Sequence, residues 1–301
     1  MCGKGLDRGD HGSFPPEIRA QATALACSLP EALGWPIRRW DCVEIRKRLI
    51  HDTATESVHR TTVWRWLKAE RLKPWRHHLW QHPTAPDFLQ RAKPVLQLYA
   101  HAQALLRKGI WVVCSDEKTS MQALERIHPL RPAASGQPMH VAAHYIRRGV
   151  SHLFGALSVA DGRVYGTCRR RKRFEDFQAF FHETVVPEAL RRGVSKICWI
   201  LDNGSTHAPM RLEAWLRQQR KQHDWPFTVR VFWLPKYASW LDQIEIWFSI
   251  LQRKVLTPIH EKNLETLEHG IAQYIHHYNK TAQPIRWTYT VDKLTERLAT
   301  L

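Results

Sequence analysis

Ile197-Cys198-Trp199-Ile200-Leu201-Asp202-Asn203 is an unbroken apolar run closed by an acid. Apolar residues in succession, without alternation, describe a strand covered on both faces, and such a strand calls for helices on both sides of a sheet. A second run of the same kind, Trp111-Val112-Val113-Cys114-Ser115, leads into Asp116-Glu117-Lys118. The end of a strand is a rigid platform for a side chain that must reach a ligand, so Asp116 and Asp202 stand out as candidate site residues. Each alone is equally well read as a turn former or helix cap.

Around these two runs the pattern alternates between sheet and helix. Gly109 enters the strand Ile110 to Ser115. His140 to Arg147 and Ser151 to Ala160 alternate or run apolar, and Asp161-Gly162 turns the chain into Val164-Tyr165-Gly166, which together predict an antiparallel meander. Phe174 to Arg192 and His207 to Arg220 have helical periodicity, Thr228 to Leu234 is a further strand, and Ser239 to Leu256 and Leu264 to Tyr278 close the chain as helices. That order predicts an α/β domain over residues 109–301, ribonuclease-H-like with a mixed sheet.

A third acid is available in Ser239-Trp240-Leu241-Asp242-Gln243-Ile244-Glu245. With Leu241, Ile244, Phe248, Leu251 and Val255 as the buried stripe of a continuous helix, Glu245 lies roughly 80° from its centre and Asp242 roughly 140° away. Glu245 therefore borders the core, while Ser239 and Asp242 have the spacing of a capping box. The expected set is Asp116, Asp202 and Glu245, with Asp242 as cap and Glu117 turned to the opposite face of its strand. Three converging carboxylates suit Mg2+ or Mn2+, which take hard oxygen donors, and two ions so held can serve both the attacking and the departing oxygen of a phosphodiester.

Composition agrees with such a substrate. Lys and Arg number 45 against 28 Asp and Glu in 301 residues, a net charge of +17 that attracts polyanions. The six cysteines are scattered without Cys-x-x-Cys spacing, and neither His77, His78 and His82 nor His276 and His277 has a ligand-spaced partner pair, so neither disulfides nor zinc are expected. No apolar run approaches the roughly 18 residues that span a bilayer, and the first residues lack the apolar core of a secretory signal; a soluble cytoplasmic protein follows, with no membrane partner.

Residues 1–13 are rich in Gly and charge and are expected to be disordered. Residues 14–76 read as a small all-α unit. Glu17 to Ser28 and Cys42 to Ile50 are helical, and Thr55-Glu56-Ser57 starts a helix that ends before Pro74, a helix-turn-helix arrangement. If residues 58–70 are its recognition helix, Val63, Trp66 and Leu67 face inward, while Thr61, Arg65 and Lys68 face DNA bases and phosphates. A linker and short helix occupy 77–108. In the second domain Arg169-Arg170-Arg171-Lys172-Arg173 follows Cys168 and concentrates five cations in five positions; it reads either as a DNA clamp or as a solvated loop.

Asp116-Glu117, then Leu201-Asp202-Asn203-x-x-x-His207, then Leu234-Pro235-Lys236-Tyr237-Ala238-Ser239-Trp240-Leu241-Asp242-Gln243-Ile244-Glu245-Ile246-Trp247-Phe248 look like the three signatures of mariner-like DDE transposases of bacterial insertion sequences, a similarity spanning residues 40–290. The resemblance implies Asp116, Asp202 and Glu245 as a metal-binding triad, strand hydrolysis followed by attack of the freed 3′-hydroxyl on target DNA, a homodimer joining two element ends, and a nucleoid-associated location. His207 is left either beside the site or at the start of the next helix. The family usually carries paired helix-turn-helix units, whereas 115 residues precede Asp116 here, room for one such unit and a linker. The interval from Asp202 to Glu245, 245 − 202 = 43, is long for the group, and Gln218 to Asp224 is the natural place for an insertion. A DNA-binding protein without turnover, occupying or repressing element ends, is the alternative reading.

Overall fold

The first unit is built on tryptophan and branched aliphatics. A computed structural model describes residues 14–53, 58–77 and 86–299, and the chain divides into two compact units at residue 81. Residues 1–13 and Thr55-Glu56-Ser57 lie outside the described residues. Helices α1 (Pro16–Ala26), α2 (Cys42–Thr53) and α3 (Arg60–Ala69) enclose Ile18, Ala22, Leu25, Trp40, Ile45, Leu49, Val58, Val63 and Leu67. Pro16 sits in the first turn of α1, where a missing N–H costs nothing. Asp41 accepts from the N–H groups of Val43 and Glu44 at the start of α2, and the His59 ring accepts from Thr61 N at the start of α3, so each helix has a side-chain cap. Trp66 packs edge-on against Phe14, closing the third side of α3.

The second unit opens on α4 (Phe88–Arg107), a 20-residue helix rather than the short one expected. Pro94 lies inside it, and proline at 86 and 94 is what obscures the helix in the sequence. Five strands follow: β1 (Ile110–Arg126), β2 (Tyr145–Ser158), β3 (Val164–Arg169), β4 (Lys196–Leu201) and β5 (Thr228–Trp233), in the order β3-β2-β1-β4-β5. β1, β2 and β3 form the antiparallel meander, with Gly162 at φ +71° in the tight turn between β2 and β3. β4 and β5 run parallel to β1, each reached through helices: α5 (Phe174–Phe180), a π-helical turn and α6 (Val186–Arg192) before β4, and α7 (Pro209–Gln222) before β5. The stretch Gln218 to Asp224 thus extends α7 to Gln222. A 3-10 turn at Ser239–Leu241, α8 (Gln243–Lys254), α9 (Leu264–Asn279) and α10 (Val291–Ala299) complete the chain. This is the mixed-sheet, ribonuclease-H-like arrangement the sequence predicts, with α10 in addition.

Two cores flank the sheet. On one face α4, α8, α9 and α10 cover Val112, Cys114, Leu153, Leu157, Cys198 and Ile200; on the other α5, α6 and α7 cover Trp111, Val113, Phe154, Ala156, Trp199 and Leu201. The two indoles that rise from the sheet into the second core find partners, Trp111 Nε1 donating to Ser158 Oγ at 2.9 Å and Trp199 Nε1 to Ser115 Oγ at 2.8 Å, whereas the buried Trp247 Nε1 on the other face has none among the described residues. Beneath the second core Glu188 accepts from Tyr165, Arg191 and Arg192, so its buried charge is fully paired.

β1 differs from expectation. It does not stop at Ser115 but continues to Arg126, because β2 goes on pairing with it after β4 has ended: Asp116 lies opposite Gly155 and Glu117 opposite Phe154. Asp116 is a mid-strand residue, not a turn former.

Candidate functional site

Strand register alone relates two of the acids. Cys114 pairs with Ile200 across the parallel β1–β4 ladder. Two residues further along each chain come Asp116, still paired with β2, and Asp202, the first residue past the end of β4, so the register brings both acids to the same end of the two strands. Gly155 lies opposite Asp116 on the other neighbour, and α8 rests directly on it. A Cβ at Gly155 would lie 2.8 Å from Ile244 Cδ1 and 3.2 Å from the Phe248 ring. The bare backbone therefore admits the helix that carries the third acid.

The start of that helix is not the one expected. Ser239 does not cap it; the Tyr99 hydroxyl donates to the Leu241 carbonyl at 2.8 Å and takes the acceptor that a continuous helix would use. The chain turns through Ser239–Leu241, extends at Asp242 (φ −80°, ψ 115°), and α8 begins at Gln243 with Asp242 as its cap, accepting from Ile244 N at 3.2 Å. Asp242 thus caps α8 as expected, but by a different route, and it is also 1% exposed with Oδ2 lacking any hydrogen-bond partner. Glu245, half-buried in the first turn, lies on the same side as Asp242 three residues on.

The carboxylates feel one another. Burial, then the charges of Asp242 and Asp202, push the Asp116 carboxyl up to about 9. Burial does the same to Asp242, offset in part by Ile244 N–H and reinforced by Glu245 and Asp202, leaving it at about 8. Crowded, desolvated oxygen donors with one unpartnered buried oxygen are a set that a hard divalent cation fits, because its charge removes the penalty that raises them.

Asp202 behaves differently. Burial alone would push its carboxyl up, but the hydrogen bond and charge of His207, with Gly204 N–H and Lys172, hold it below the usual carboxylate range. Oδ1 accepts from His207 Nδ1 at 2.6 Å and from Gly204 N at 2.8 Å. His207 is fully buried, edge-on to Phe177 at 4.7 Å between centroids, and its Nε2 lies 3.1 Å from Glu117 Oε1, an ion pair without the alignment of a hydrogen bond. Burial would depress the imidazole, yet the two carboxylates prevail and push it up to about 10. Asp116, Glu117 and His207 each offer one donor atom within 4.8 Å of the others. Asn203 ties the loops after β4 and β5 together, donating to the Leu234 carbonyl at 2.6 Å while accepting from Arg91 at 3.3 Å.

Charge couples Asp116 to Asp242 and Asp202, and Asp242 to Glu245, but among the described residues the donor atoms within 4.8 Å of one another are those of Asp116, Glu117 and His207, not those of the expected triad Asp116, Asp202 and Glu245. The motif spacing pointed to His207 without fixing its place; the pairing of Glu117 with it has no local sequence signal.

The basic run is partly consumed within the protein. Arg169 pairs with Glu183, Arg170 with Glu268 at 3.8 Å and Arg173 with Asp176 at 3.0 Å. Among the described residues Arg171 and Lys172 have no ion pair, and Lys172 is the one whose charge reaches Asp202. In the N-terminal unit Thr61, Arg65 and Lys68 are all exposed on α3. Lys68 lies over the ring of Trp64 at 4.8 Å, and Trp64 is itself 45% exposed. A cleft of about 480 Å³ lined by Asp41, Cys42, Val43, Arg60, Thr61, Trp64 and Trp75 opens at the N-terminal ends of α2 and α3. Among the described residues no helix is long and apolar enough to cross a membrane.

The fold is a ribonuclease-H-like mixed sheet flanked by helices, with charge-coupled acids at the end of its central strands. Residues 111–268 match the family model described as DDE superfamily endonuclease, and the chain belongs to that family. Its fold is similar to a solved structure of the Mos1 transposase paired-end complex with left transposon end, at 15% identity and a TM-score of 0.55, over 98% of this chain and 82% of the other. The mariner Mos1 paired-end complex with Mg is similar at 16% identity and a TM-score of 0.54, over 98% and 81%. A comparison with curated protein sequences finds no match.

Proposed function

We propose that the chain is a DNA transposase that cuts and joins element ends with divalent metal. Asp116, Asp202 and Glu245 are its cation-binding triad, and Asp242 is a buried acid that completes the negative cluster while fixing the start of α8. The observation that carries this reading is the register of β1 and β4, which brings Asp116 and Asp202 to the same end of the two strands, where α8, with Asp242 as its cap and Glu245 in its first turn, rests on Gly155. The similar Mos1 structures are paired-end complexes, one with a left transposon end and one with Mg, which supports element-end DNA as substrate and a divalent cation, Mg2+ or Mn2+, as cofactor; that two ions are held is part of the proposal.

When bound, such cations lower the pKa of an attacking water and offset charge on phosphate oxygens. The chain's own residues do the rest. Asp116 is held in the strand by its pairing with β2, opposite Gly155. His207 and Gly204 orient Asp202, Lys172 places a positive charge beside the scissile phosphate, and the occluded cluster keeps bulk water from competing. Thr61, Arg65 and Lys68 on α3 contact the major groove, with Arg171 and Lys172 as the freest cations of the basic run for backbone phosphates. A homodimer bringing two ends together is the expected assembly.

The test uses duplexes taken from inverted repeats flanking the gene. The full chain should nick them in Mg2+ or Mn2+, and Asp116→Asn, Asp202→Asn and Glu245→Gln should abolish nicking while gel-shift retention of the duplex survives. Cleavage retained in any one variant removes that residue from the triad. Specific retention without nicking by the unaltered chain would favour a protein that only occupies element ends.

A further inference from the structure

Glu117 has a burial that the triad does not explain. It follows Asp116 in an extended strand and so turns to the other face, with Ser115 and Val113, where its side chain is only 7% exposed. A carboxylate there needs a partner, and the one it faces among the described residues is His207 Nε2 at 3.1 Å. The imidazole is itself sealed, 0% exposed against Phe177. Its other nitrogen meets Asp202 Oδ1 at 2.6 Å. Both ring nitrogens thus face carboxylate oxygens, Nδ1 in a hydrogen bond and Nε2 in a contact without that alignment.

The backbone bends to make this contact. His207 N and Ala208 N both donate to the Gly204 carbonyl at 3.1 Å, and Ala208 then enters α7 at φ +38°, a conformation that a residue with a Cβ adopts under constraint. A Cβ on Gly204 would lie 2.9 Å from Asp202 Oδ1, so glycine leaves room for the carboxylate at this spot. The outcome is that Asp202 Oδ1 accepts two donors, and Oδ2 is left without any among the described residues.

We infer that Glu117 and His207 are positioning residues: Glu117 holds the imidazole through the sheet, the imidazole pins Oδ1 of Asp202, and Oδ2 is the oxygen presented to the cation. This rests on the triad reading and adds two residues to it. Direct ligation by Glu117, whose donor atom lies within 4.8 Å of those of Asp116 and His207, is the rival reading that the titration separates.

Mn2+ alone, titrated into the metal-free full chain and followed by its electron paramagnetic resonance signal, tests this, with circular dichroism confirming that each variant is folded. Asp116→Asn should abolish tight binding. His207→Leu should weaken it about 10–100-fold, the usual effect of removing a group that orients a ligand. His207→Asn, which keeps a donor where Nδ1 stood, should recover most of that loss, and Glu117→Gln, which keeps an acceptor for Nε2, should weaken binding only a few-fold. Unchanged affinity in His207→Leu overturns the inference; should that variant fail to fold, His207→Asn and Glu117→Gln decide the matter. A loss in Glu117→Gln as complete as that in Asp116→Asn overturns it in favour of direct ligation. If Asp116→Asn binds Mn2+ normally, the triad reading falls and takes this inference with it.

Discussion

Replacing Asp116 by Asn should flatten the pH dependence of stability in the metal-free protein. Burial, with the charges of Asp242 and Asp202, pushes the folded-state carboxyl up to about 9, against an ordinary value of 3.8 in the unfolded chain. Between those values the folded protein holds a proton that the unfolded chain has released. The stabilisation is therefore complete below the unfolded value and is lost as pH rises through the folded one. One such proton is worth about 1.4 kcal/mol per pH unit, or roughly 3–6 °C in Tm for a unit of this size. Asp242, at about 8, and His207, at about 10, give slopes of the same sign, so the informative quantity is the difference between variants. Melting in EDTA from pH 5 to 8.5 should show Tm falling more steeply, by roughly 3–6 °C per pH unit, for the unaltered chain than for Asp116→Asn. Mg2+ at pH 8 should restore the former and leave the latter nearly unmoved. Parallel slopes in EDTA would refute the crowding of charge that underlies the whole site.

Gly155→Ala would press a methyl within 2.8 Å of Ile244 Cδ1 and 3.2 Å of the Phe248 ring; those side chains must shift against α8, at about 1–3 kcal/mol in stability and a loss on the order of 100-fold in single-turnover cleavage at saturating DNA. A wild-type rate would show that α8 does not set the geometry. Lys68→Ala should reduce the slope of log affinity against log salt by about 1, while Arg65→Ala should cost about 1–3 kcal/mol on the preferred duplex and less on random sequence; equal losses on both would make Arg65 a phosphate contact only. Glu188→Ala leaves Arg192, 9% exposed, with Asp161 as its remaining acidic partner. Denaturant titration should show about 3 kcal/mol of destabilisation, at the low end for a broken buried pair, and a value near zero would mean that Asp161 alone neutralises the guanidinium.

Much of the fold was open to reading because its strands announce themselves. β4 and the first half of β1 are continuous apolar runs, and nothing but a two-sided burial explains them. The second half of β1 was not legible, since Asp116 to Ser120 are polar and the strand shifts register between Lys118 and Met121 before Met121 and Ala123 return to the core. Prolines at 86 and 94 disguised α4, and α10 is too short to assert itself. At the site, Asp116 and Asp202 were recoverable as strand-borne acids. The wheel drawn for Asp242 and Glu245 assumed a helix continuous from Leu241, and that assumption failed because Tyr99, far earlier in the chain, takes the Leu241 carbonyl. The cations at 169–173 looked free because their partners Glu183 and Glu268 belong to other elements. The pairing of Glu117 with His207 crosses 90 residues, 207 − 117, and no local pattern encodes it.

β1 is the seam of the sheet, bonded to a parallel strand on one side and to an antiparallel strand on the other. Asp116 sits two residues past the stretch bonded on both sides and is held from the β2 side, opposite Gly155, whereas Asn203 to Ala208 and Lys236 to Ala238 are loops tethered at a few points. The centre resembles a vice whose one jaw is clamped along a single edge. Whatever yielding a substrate needs falls first on the two loops, and the strand that carries Asp116 yields after them.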